Sequence, residues 1–471
     1  MGKYFGTDGF RGEANLTLTA DHAFRIGRFL GWYCRTHDLA RPAGETVADH
    51  RPRIVLGKDT RRSSYMFEYA LAAGLAASGA DPYMLHVTTT PSVSFATARA
   101  DFDGGVMISA SHNPFYDNGI KLVNRYGEKI NDDTIAVIEA YLDRADSVPG
   151  LDGVSFAEED IPVATGADVG RIVDYAAGRN RYVGYLISLA ANSYKGMRVG
   201  LDCANGASWM IGRAVFEALG AKTYVTGAEP DGLNINVECG STHTERLRRL
   251  VLDEGLDVGF AFDGDADRCI AVDENGNEIN GDHIMYLLAK GMKEQGSLTN
   301  NTVVTTVMSN MGLYRALDEA GIRYEQTTVG DRFVYENMIE YGHSIGGEQS
   351  GHIILRKYAT TGDGILTAIM IMERMVDSKL PLSKLAEPVV MYPQVLKNLR
   401  VPDKDAVMNH PTVRAKLDEC NTRLGGNGRM LLRKSGTEPV VRVMVEAADK
   451  DTCERFVGEM VDVIRAEGFC E

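Results

Sequence analysis

The feature that most constrains the fold is a strand–helix–strand order that occurs three times in the chain. In the first copy, the residue pattern predicts a strand at 53–57, a helix at 64–78 and a strand at 83–87. The same order recurs at 197–225 and at 302–327. Units of this length imply right-handed crossovers and mainly parallel strands. The sequence therefore predicts three similar α/β domains with mainly parallel mixed sheets.

The last part of the chain, from about Met391, does not repeat this unit. Strands at 430–432 and 440–445 flank a short basic loop, and a helix at about 452–466 follows them. We therefore expect a smaller C-terminal α+β domain. The predicted domains are 1–165, 166–273, 274–390 and 391–471.

Composition excludes several classes of protein. The 471 residues carry a formal net charge of -15, which argues against a nucleic acid or an acidic membrane as the main partner. The seven cysteines, an odd number without a C-x-x-C pair, indicate a reduced compartment. No apolar run approaches the roughly 18 residues that a bilayer span needs, and the N-terminus shows no basic segment followed by an apolar one. We therefore expect a cytoplasmic protein with no nucleic-acid and no membrane partner.

Each α/β unit runs into a further strand that ends in a short polar loop. These loops are residues 109–114, 263–268 and 346–352. Ligands of open α/β sheets gather beyond the carboxyl ends of the strands. Three domains that each present such a loop can therefore surround one cleft, and this repetition is stronger evidence for a site than any single loop.

The first loop, Ser-Ala-Ser-His-Asn-Pro at 109–114, follows a buried strand at 106–108. Pro114 bars a simple continuation of the strand, so backbone on both sides holds Ser111 in a sharp turn with its hydroxyl presented outward. Lys121 follows within reach, and a lysine there can neutralise a phosphate or help to move a proton. An ordinary polar turn is the alternative for this loop taken alone.

Asp263, Asp265 and Asp267 alternate in a glycine-containing loop at a strand end. Carboxylates packed so closely repel one another unless a cation lies among them, and hard oxygen ligands suit Mg²⁺ or Ca²⁺. A calcium loop of the EF-hand kind fits poorly, because Arg268 occupies the position that needs glycine and a strand precedes the loop. A solvated acidic turn is the other alternative. We expect one divalent cation at this loop.

Two further loops carry groups that suit anions and sugars. The first offers a guanidinium, an ammonium, two hydroxyls and glycine-exposed backbone N–H groups, which together form an anion nest; its residues include Arg433, Ser435, Gly436 and Thr437. The second offers a carboxylate, an amide, a hydroxyl and an imidazole, which suit sugar hydroxyls or an amine; its residues include Glu348, Ser350 and His352. A basic hairpin turn and a structural histidine are the respective alternatives.

Near the N-terminus, three glycines surround Arg11, which predicts a guanidinium presented from a tight loop, with a plain hairpin and a solvated arginine as the alternative. A metal beside a serine, without the pattern of a catalytic triad, suggests phosphoryl transfer rather than acyl transfer. An anion loop distant in sequence from Ser111 suggests a substrate that carries a second phosphate group, one that does not react.

With these loops in order, the chain closely resembles the α-D-phosphohexomutases along essentially its whole length. The matching stretches are 5–12, 109–121, 263–268, 347–352 and 433–439. The resemblance implies four domains around a central cleft. It also implies that Ser111 is carried as phosphoserine, and that one Mg²⁺ per chain is held by Asp263, Asp265, Asp267 and the phosphate of Ser111. Two residues depart from the expected pattern: Phe10 replaces a smaller aliphatic residue and Lys434 replaces a proline.

The resemblance implies interconversion of glucosamine 6-phosphate and glucosamine 1-phosphate through a glucosamine 1,6-bisphosphate intermediate, feeding UDP-N-acetylglucosamine and cell-wall synthesis. It assigns proton transfer and charge stabilisation to Arg11, Lys121 and His352. Glu348 and Ser350 would bind sugar hydroxyls, and the distal phosphate would be gripped by Arg433, Ser435, Gly436 and Thr437. A mutase for glucose or mannose phosphates and a catalytically inactive sugar-phosphate sensor are the alternatives. The sequence does not fix the oligomeric state, and a homodimer stays open.

Overall fold

A computed structural model of the protein describes residues 2–157, 160–435 and 439–470. The chain forms two compact units. The first runs to Met308 and resumes at Ile322–Glu387, and the second combines Ser309–Gly321 with the residues from Pro388 onward. Within the described ranges, no helix is both long enough and apolar enough to cross a membrane.

The first sheet has seven strands, which are Phe5–Gly6 (β1), Gly9–Glu13 (β2), Arg53–Lys58 (β3), Asp81–Val87 (β4), Gly104–Ile108 (β5), Asp117–Asn124 (β6) and Val173–Asp174 (β7). Their order across the sheet is β1-β2-β6-β5-β3-β4-β7. Strands β3, β4, β5 and β7 are parallel, whereas β6 and β2 pair in antiparallel fashion at one side. The helices of this part are Ala20–Tyr33 (α1), Arg62–Ala77 (α2), Thr90–Arg99 (α3), Asp132–Leu142 (α4) and Ala176–Leu189 (α5).

The second sheet has five strands, which are Arg198–Asp202 (β8), Lys222–Thr226 (β9), Val258–Phe262 (β10), Cys269–Asp273 (β11) and Glu278–Ile279 (β12). Their order is β12-β11-β10-β8-β9, with β8, β9 and β10 parallel. The accompanying helices are Ile211–Ala218 (α6) and Glu245–Glu254 (α7). Every residue of β10 is buried, as its apolar sequence predicts.

The third sheet has four strands, which are Thr302–Thr306 (β13), Arg323–Thr327 (β14), Ile345–Gly347 (β15) and Ile353–Leu355 (β16). Their order is β14-β13-β15-β16, and only β16 is antiparallel to its neighbour. The helices of this stretch of chain are Gly281–Glu294 (α8), Met311–Glu319 (α9), Asp331–Tyr341 (α10), Gly364–Ser378 (α11) and Leu382–Ala386 (α12). Helix α9 belongs to the second compact unit.

The C-terminal part of the second unit carries an antiparallel sheet of three strands, which are Gln394–Arg400 (β17), Gly428–Lys434 (β18) and Val440–Ala447 (β19), in the order β17-β19-β18. Its helices are Lys404–Asn409 (α13), Pro411–Leu424 (α14) and Lys450–Ala466 (α15). The prediction of three α/β sheets and a smaller α+β domain is confirmed. Each strand of the three predicted repeats lies within about two residues of its observed bounds, because apolar runs and glycine stops mark both ends.

Helices α1 and α2 cross at a very close distance in the core of the first domain. A β-carbon at Gly74 would overlap the backbone oxygen of Phe24, and one at Gly27 would overlap the backbone oxygen of Leu71. Glycine is required at this crossing because the atoms in the way belong to backbone, which cannot rotate aside. Thr19 begins α1 with a capping box, since its side chain accepts a hydrogen bond from the N–H of His22.

We expect Gly74→Ala to destabilise the first domain by about 1–3 kcal/mol, because the added methyl group overpacks the crossing of α1 and α2. Gly184→Ala is the matched control: Gly184 lies in α5 with open space where a methyl group would project, so the higher helix propensity of alanine should stabilise the protein by up to about 1 kcal/mol. Urea denaturation of both variants measures the difference. Equal stabilities would contradict the proposed role of the glycine.

Candidate active site

Ser111 lies in a turn just beyond the carboxyl end of β5, and its side chain is buried. Its backbone has φ 53°, in the left-handed region that residues other than glycine rarely adopt. Its N–H donates to Ser109 Oγ (3.0 Å), and its carbonyl accepts from Arg61 Nη2 (3.1 Å) and Asn236 Nδ2 (2.9 Å). Three neighbours therefore hold an unfavourable backbone conformation that aims the hydroxyl.

A buried ion pair beneath this turn fixes Arg61. Its guanidinium contacts the carboxylate of Asp59, which also accepts from Ser109 Oγ (2.7 Å) and Ser64 Oγ (2.7 Å). Both partners of the ion pair are fully buried. The sequence analysis missed Asp59 and Arg61, although they follow β3 at its carboxyl end, where the strand-end argument already placed the other loops.

The loop after β10 brings Asp263, Asp265 and Asp267 together as predicted: one oxygen from each lies within 4.8 Å of the others, and all three residues are buried. Oδ1 of Asp265 and Oδ1 of Asp267 are buried and accept no hydrogen bond from the described residues. The hydroxyl of Ser111 donates to Asp263 Oδ2 (2.5 Å). Three converging carboxylates with unsatisfied oxygens are a donor set that fits a hard divalent cation.

The surrounding charges shift the pKa values of Asp263 and Asp267 in opposite directions. Burial, together with Asp267 and Asp265, raises the pKa of Asp263 well above its ordinary value. Burial alone would also raise the pKa of Asp267, but Lys121 and the neighbouring cations outweigh it and hold that pKa below its ordinary value. The protein alone therefore leaves one carboxylate of the loop uncompensated, and a cation would favour its ionised form.

Lys121 extends from β6 to the same loop. Its Nζ lies 2.8 Å from Asp265 Oδ2 and 3.4 Å from Asp267 Oδ2, and it also reaches Asp8 Oδ2 at 3.1 Å. Burial lowers the pKa of Lys121, but these carboxylates outweigh burial and raise it well above its ordinary value. Lys121 is therefore held as a cation beside the carboxylate oxygens of the Asp263–Asp267 loop.

Asp8 forms ion pairs with three basic residues of the first domain. It pairs with Arg11 and Lys121, and Lys129 Nζ lies 2.9 Å from its Oδ1. Burial opposes ionisation, but the three cations hold the pKa of Asp8 well below its usual range. The prediction that a tight loop presents Arg11 is wrong: Arg11 lies on β2, where it pairs with Gly119 of β6. The glycines around it lie in the β1–β2 hairpin instead.

The β15–β16 hairpin presents the predicted sugar loop. Glu348 Oε1 accepts the N–H of Gly330 (3.1 Å), and Ser350 Oγ is buried without a hydrogen-bond partner among the described residues. His352 is buried between two carboxylates: its Nδ1 lies 3.7 Å from Asp267 Oδ1, and its Nε2 lies 3.5 Å from Asp331 Oδ2. The third domain thus places an imidazole beside Asp267 of the Asp263–Asp267 loop.

Two influences act on the ring of His352 in opposite directions. Burial lowers its pKa, but Asp267, Asp331 and Glu348 outweigh burial and raise the pKa of His352 to about 9. The N–H of Gly362 points at Nε2 (2.9 Å) and favours the neutral ring. In its neutral form the ring therefore carries its proton on Nδ1, which faces Asp267.

In the second compact unit, Arg433 at the end of β18 stands directly opposite Arg442 on β19. Two arginines at directly opposed positions on neighbouring strands form a donor set that suits an anion. Ser435 is buried, and its backbone N–H donates to Val440 O (2.9 Å). The strand β18 extends to Lys434, so Arg433 belongs to a strand rather than to the loop. Gly436 and Thr437 lie outside the described residues.

Comparison with known proteins identifies the class. The profiles of the four domains of the phosphoglucomutase/phosphomannomutase family match the chain at residues 2–149, 180–276, 280–392 and 396–463. These segments cover most of the chain, so it belongs to this family, the α-D-phosphohexomutases. The protein is thus an enzyme, an isomerase that carries all four domains of its family.

Individual relatives and solved structures show which members of the family the chain is similar to. The chain is 60% identical over 469 residues to a phosphoglucosamine mutase from Lachnospira eligens, covering 100% of both proteins. Among solved structures, it is similar to a phosphoglucomutase/phosphomannomutase family protein from Burkholderia thailandensis, with a TM-score of 0.79, 24% identity and coverage of 100% of this chain and 99% of the other. It is also similar to an N-acetylphosphoglucosamine mutase from Aspergillus fumigatus solved with GlcNAc-6P and magnesium, with a TM-score of 0.69, 17% identity and coverage of 99% and 96%.

We expect Mg²⁺ to raise the melting temperature of the protein, because a ligand that binds only the folded state stabilises it by mass action. Asp263→Asn should abolish this shift, and it should also stabilise the metal-free protein, because it removes a buried carboxylate that its neighbours repel. Asp253→Asn, on the exposed side of α7, is the control and should keep the full shift. Thermal denaturation with and without Mg²⁺ measures both effects. An undiminished shift in Asp263→Asn would exclude the metal site.

Proposed function

We propose that this phosphohexomutase interconverts glucosamine 6-phosphate and glucosamine 1-phosphate, with Ser111 as the carrier of the phosphoryl group. The observation that carries the proposal is the contact of the Ser111 hydroxyl with Asp263, within a cluster of three buried carboxylates beside Lys121. The 60% identity to a phosphoglucosamine mutase along the whole chain supports the choice of sugar.

In the first step, the oxygen at C1 of glucosamine 6-phosphate attacks the phosphorus of phosphoserine. A new O–P bond forms as the bond from Ser111 Oγ to phosphorus breaks, which gives glucosamine 1,6-bisphosphate. Before the second step, the bisphosphate reorients so that its 6-phosphate faces Ser111. Ser111 Oγ then attacks the 6-phosphoryl phosphorus, the bond from that phosphorus to O6 breaks, and glucosamine 1-phosphate is released. In each step the attacking hydroxyl loses a proton and the leaving oxygen gains one. The neutral ring of His352 can accept the first proton, and Lys121, held as a cation, can supply the second.

The charge that develops during transfer is met by fixed cations. A phosphoserine carries about -1.5 to -2 charges at neutral pH. Asp8 holds Lys121 and Arg11 in place, and these two cations stabilise the negative charge of the phosphoryl group during its transfer. Asp263, Asp265 and Asp267, with the phosphate of Ser111, would hold Mg²⁺, which when bound polarises a phosphoryl oxygen as a Lewis acid. The A. fumigatus mutase, which has the same fold, was solved with magnesium.

The second phosphate of the substrate needs its own binding group, because it does not react. Arg433 and Arg442, at opposed positions of β18 and β19, would supply such a group together with the buried Ser435, and the sequence resemblance adds Gly436 and Thr437. Binding energy from a remote phosphate orients the sugar and lowers the barrier to the chemical step.

The experiment that tests the function compares kcat/KM for glucosamine 6-phosphate, glucose 6-phosphate and mannose 6-phosphate under one set of conditions. A carboxylate such as Glu348 binds the 2-ammonium group of glucosamine by a charge-assisted hydrogen bond, which corresponds to roughly ten- to a hundredfold discrimination against a neutral 2-hydroxyl. We expect glucosamine 6-phosphate to be preferred by about this factor. Equal or faster turnover of a neutral sugar would assign the protein to the glucose or mannose mutases.

Replacement of the carrier tests the mechanism separately. Ser111→Ala should lose nearly all turnover and should keep the melting temperature of the wild type within a few degrees, because a methyl group fits the space of the hydroxyl. Peptide mass spectrometry of wild-type protein should find a phosphoryl group on Ser111. Ser109→Ala, two residues away, should still carry phosphate at Ser111. Turnover at the wild-type rate in Ser111→Ala would refute the covalent mechanism.

A further inference from the structure

Asp331 is a second acidic residue beside the sugar loop, and the reaction as described does not use it. It is the first residue of α10, and its side chain is 14% exposed. The preceding Gly330, at φ 132°, donates its N–H to Glu348 Oε1 (3.1 Å). The loop that carries Asp331 is therefore tied directly to the loop that carries Glu348.

We propose that Asp331 is a specificity-determining residue which, together with Glu348, binds the 2-ammonium group of glucosamine phosphates. The inference rests on the proposed function, because only an amino sugar brings a positive charge to this position. Two carboxylates and one ammonium group form a stronger and more selective site than one carboxylate, since each contact is a charge-assisted hydrogen bond.

The hydrogen bonds of Asp331 leave room for such a ligand. Its Oδ1 accepts the N–H of Arg332 (2.9 Å) and Lys129 Nζ (2.8 Å). Its Oδ2 lies 2.7 Å from Lys129 Nζ and 3.5 Å from His352 Nε2. The N–H of Gly362 points at Nε2 (2.9 Å), and no hydrogen bond joins Nε2 to Oδ2. A carboxylate oxygen accepts about two hydrogen bonds, which leaves one position on Oδ2 beside the histidine of the sugar loop.

A purely structural role for Asp331 is the competing explanation, because its ion pair with Lys129 links the first and third domains. That link has other supports. Arg332 pairs with Asp132 (2.5 Å), Tyr335 donates to Glu128 (2.8 Å), and Thr360 donates to the carbonyl of Gly127 (2.7 Å). Since the same two surfaces are joined by three more polar contacts, contact between the domains does not depend on Asp331.

The test measures kcat/KM for glucosamine 6-phosphate and glucose 6-phosphate in the full-length enzyme with Mg²⁺. Asp331→Asn should lower the value for glucosamine 6-phosphate about ten- to a hundredfold, as expected for the loss of a hydrogen bond to a charged group. The value for glucose 6-phosphate should change by less than about threefold, so the preference falls by the full factor. Asp331→Glu, which keeps the charge, should recover most of the preference.

Asp132→Asn is the matched control, since it removes an ion pair between the same two domains without touching the sugar loop; it should leave both values unchanged. Equal loss for both substrates in Asp331→Asn would show a structural role and overturn the proposal, and so would an unchanged preference. If Asp331→Asn does not fold, Lys129→Gln is used in its place. This variant keeps the carboxylate of Asp331, so the preference for glucosamine 6-phosphate should persist. Loss of that preference in Lys129→Gln would overturn the proposal.

The outcome also separates this proposal from the function on which it rests. A wild-type enzyme that turns over both sugars equally would overturn the proposed function, and the role of Asp331 with it. A wild-type preference for glucosamine 6-phosphate that survives in Asp331→Asn would overturn only the role of Asp331.

Discussion

The site depends on one electrostatic constraint, the burial of Asp263, Asp265 and Asp267 within 4.8 Å of one another. No domain neutralises this cluster alone. Lys121 comes from the first sheet, and His352 comes from the β15–β16 hairpin of the third. Because buried charges must be compensated, the aspartates of the second domain hold groups of all three domains at one place. The same charges that join the domains are those which phosphoryl transfer requires.

The buried ion pair between Arg61 and Asp59 serves to position the Ser111 turn rather than to stabilise the folded protein. Pairs of this kind often add little to the free energy of unfolding, since desolvation offsets the Coulomb attraction. Here the guanidinium holds the carbonyl groups of Ser111 and Asn113, and Asn236 of the second domain contacts the same two carbonyls. The hydroxyl of Ser111 is therefore aimed by donors from two domains. The cost of a left-handed serine is met by these contacts, as expected for strain at a functional residue.

The sequence predicted the parts of the site that are local and missed those that need three dimensions. Strand ends and glycine stops located Ser111, the three aspartates and the loop of Glu348, because each follows an apolar run within a few residues. Asp8, Arg61 and Asp331 were missed, since their importance comes from partners that lie far away in the chain. Arg11 was assigned to a loop because three glycines surround it, yet strand pairing with β6 decided its conformation.

The net charge of -15 poses a question for an enzyme whose substrates are anions. At physiological ionic strength the Debye length is about 8 Å, so exposed charges beyond that distance contribute little to the potential at the site. Charged side chains close to the site set the local potential instead. Arg11 and Lys121 are held by Asp8, and Arg433 faces Arg442 across two strands. Under the proposed function we therefore expect phosphate recognition to depend on these nearby cations and not on the overall charge of the protein.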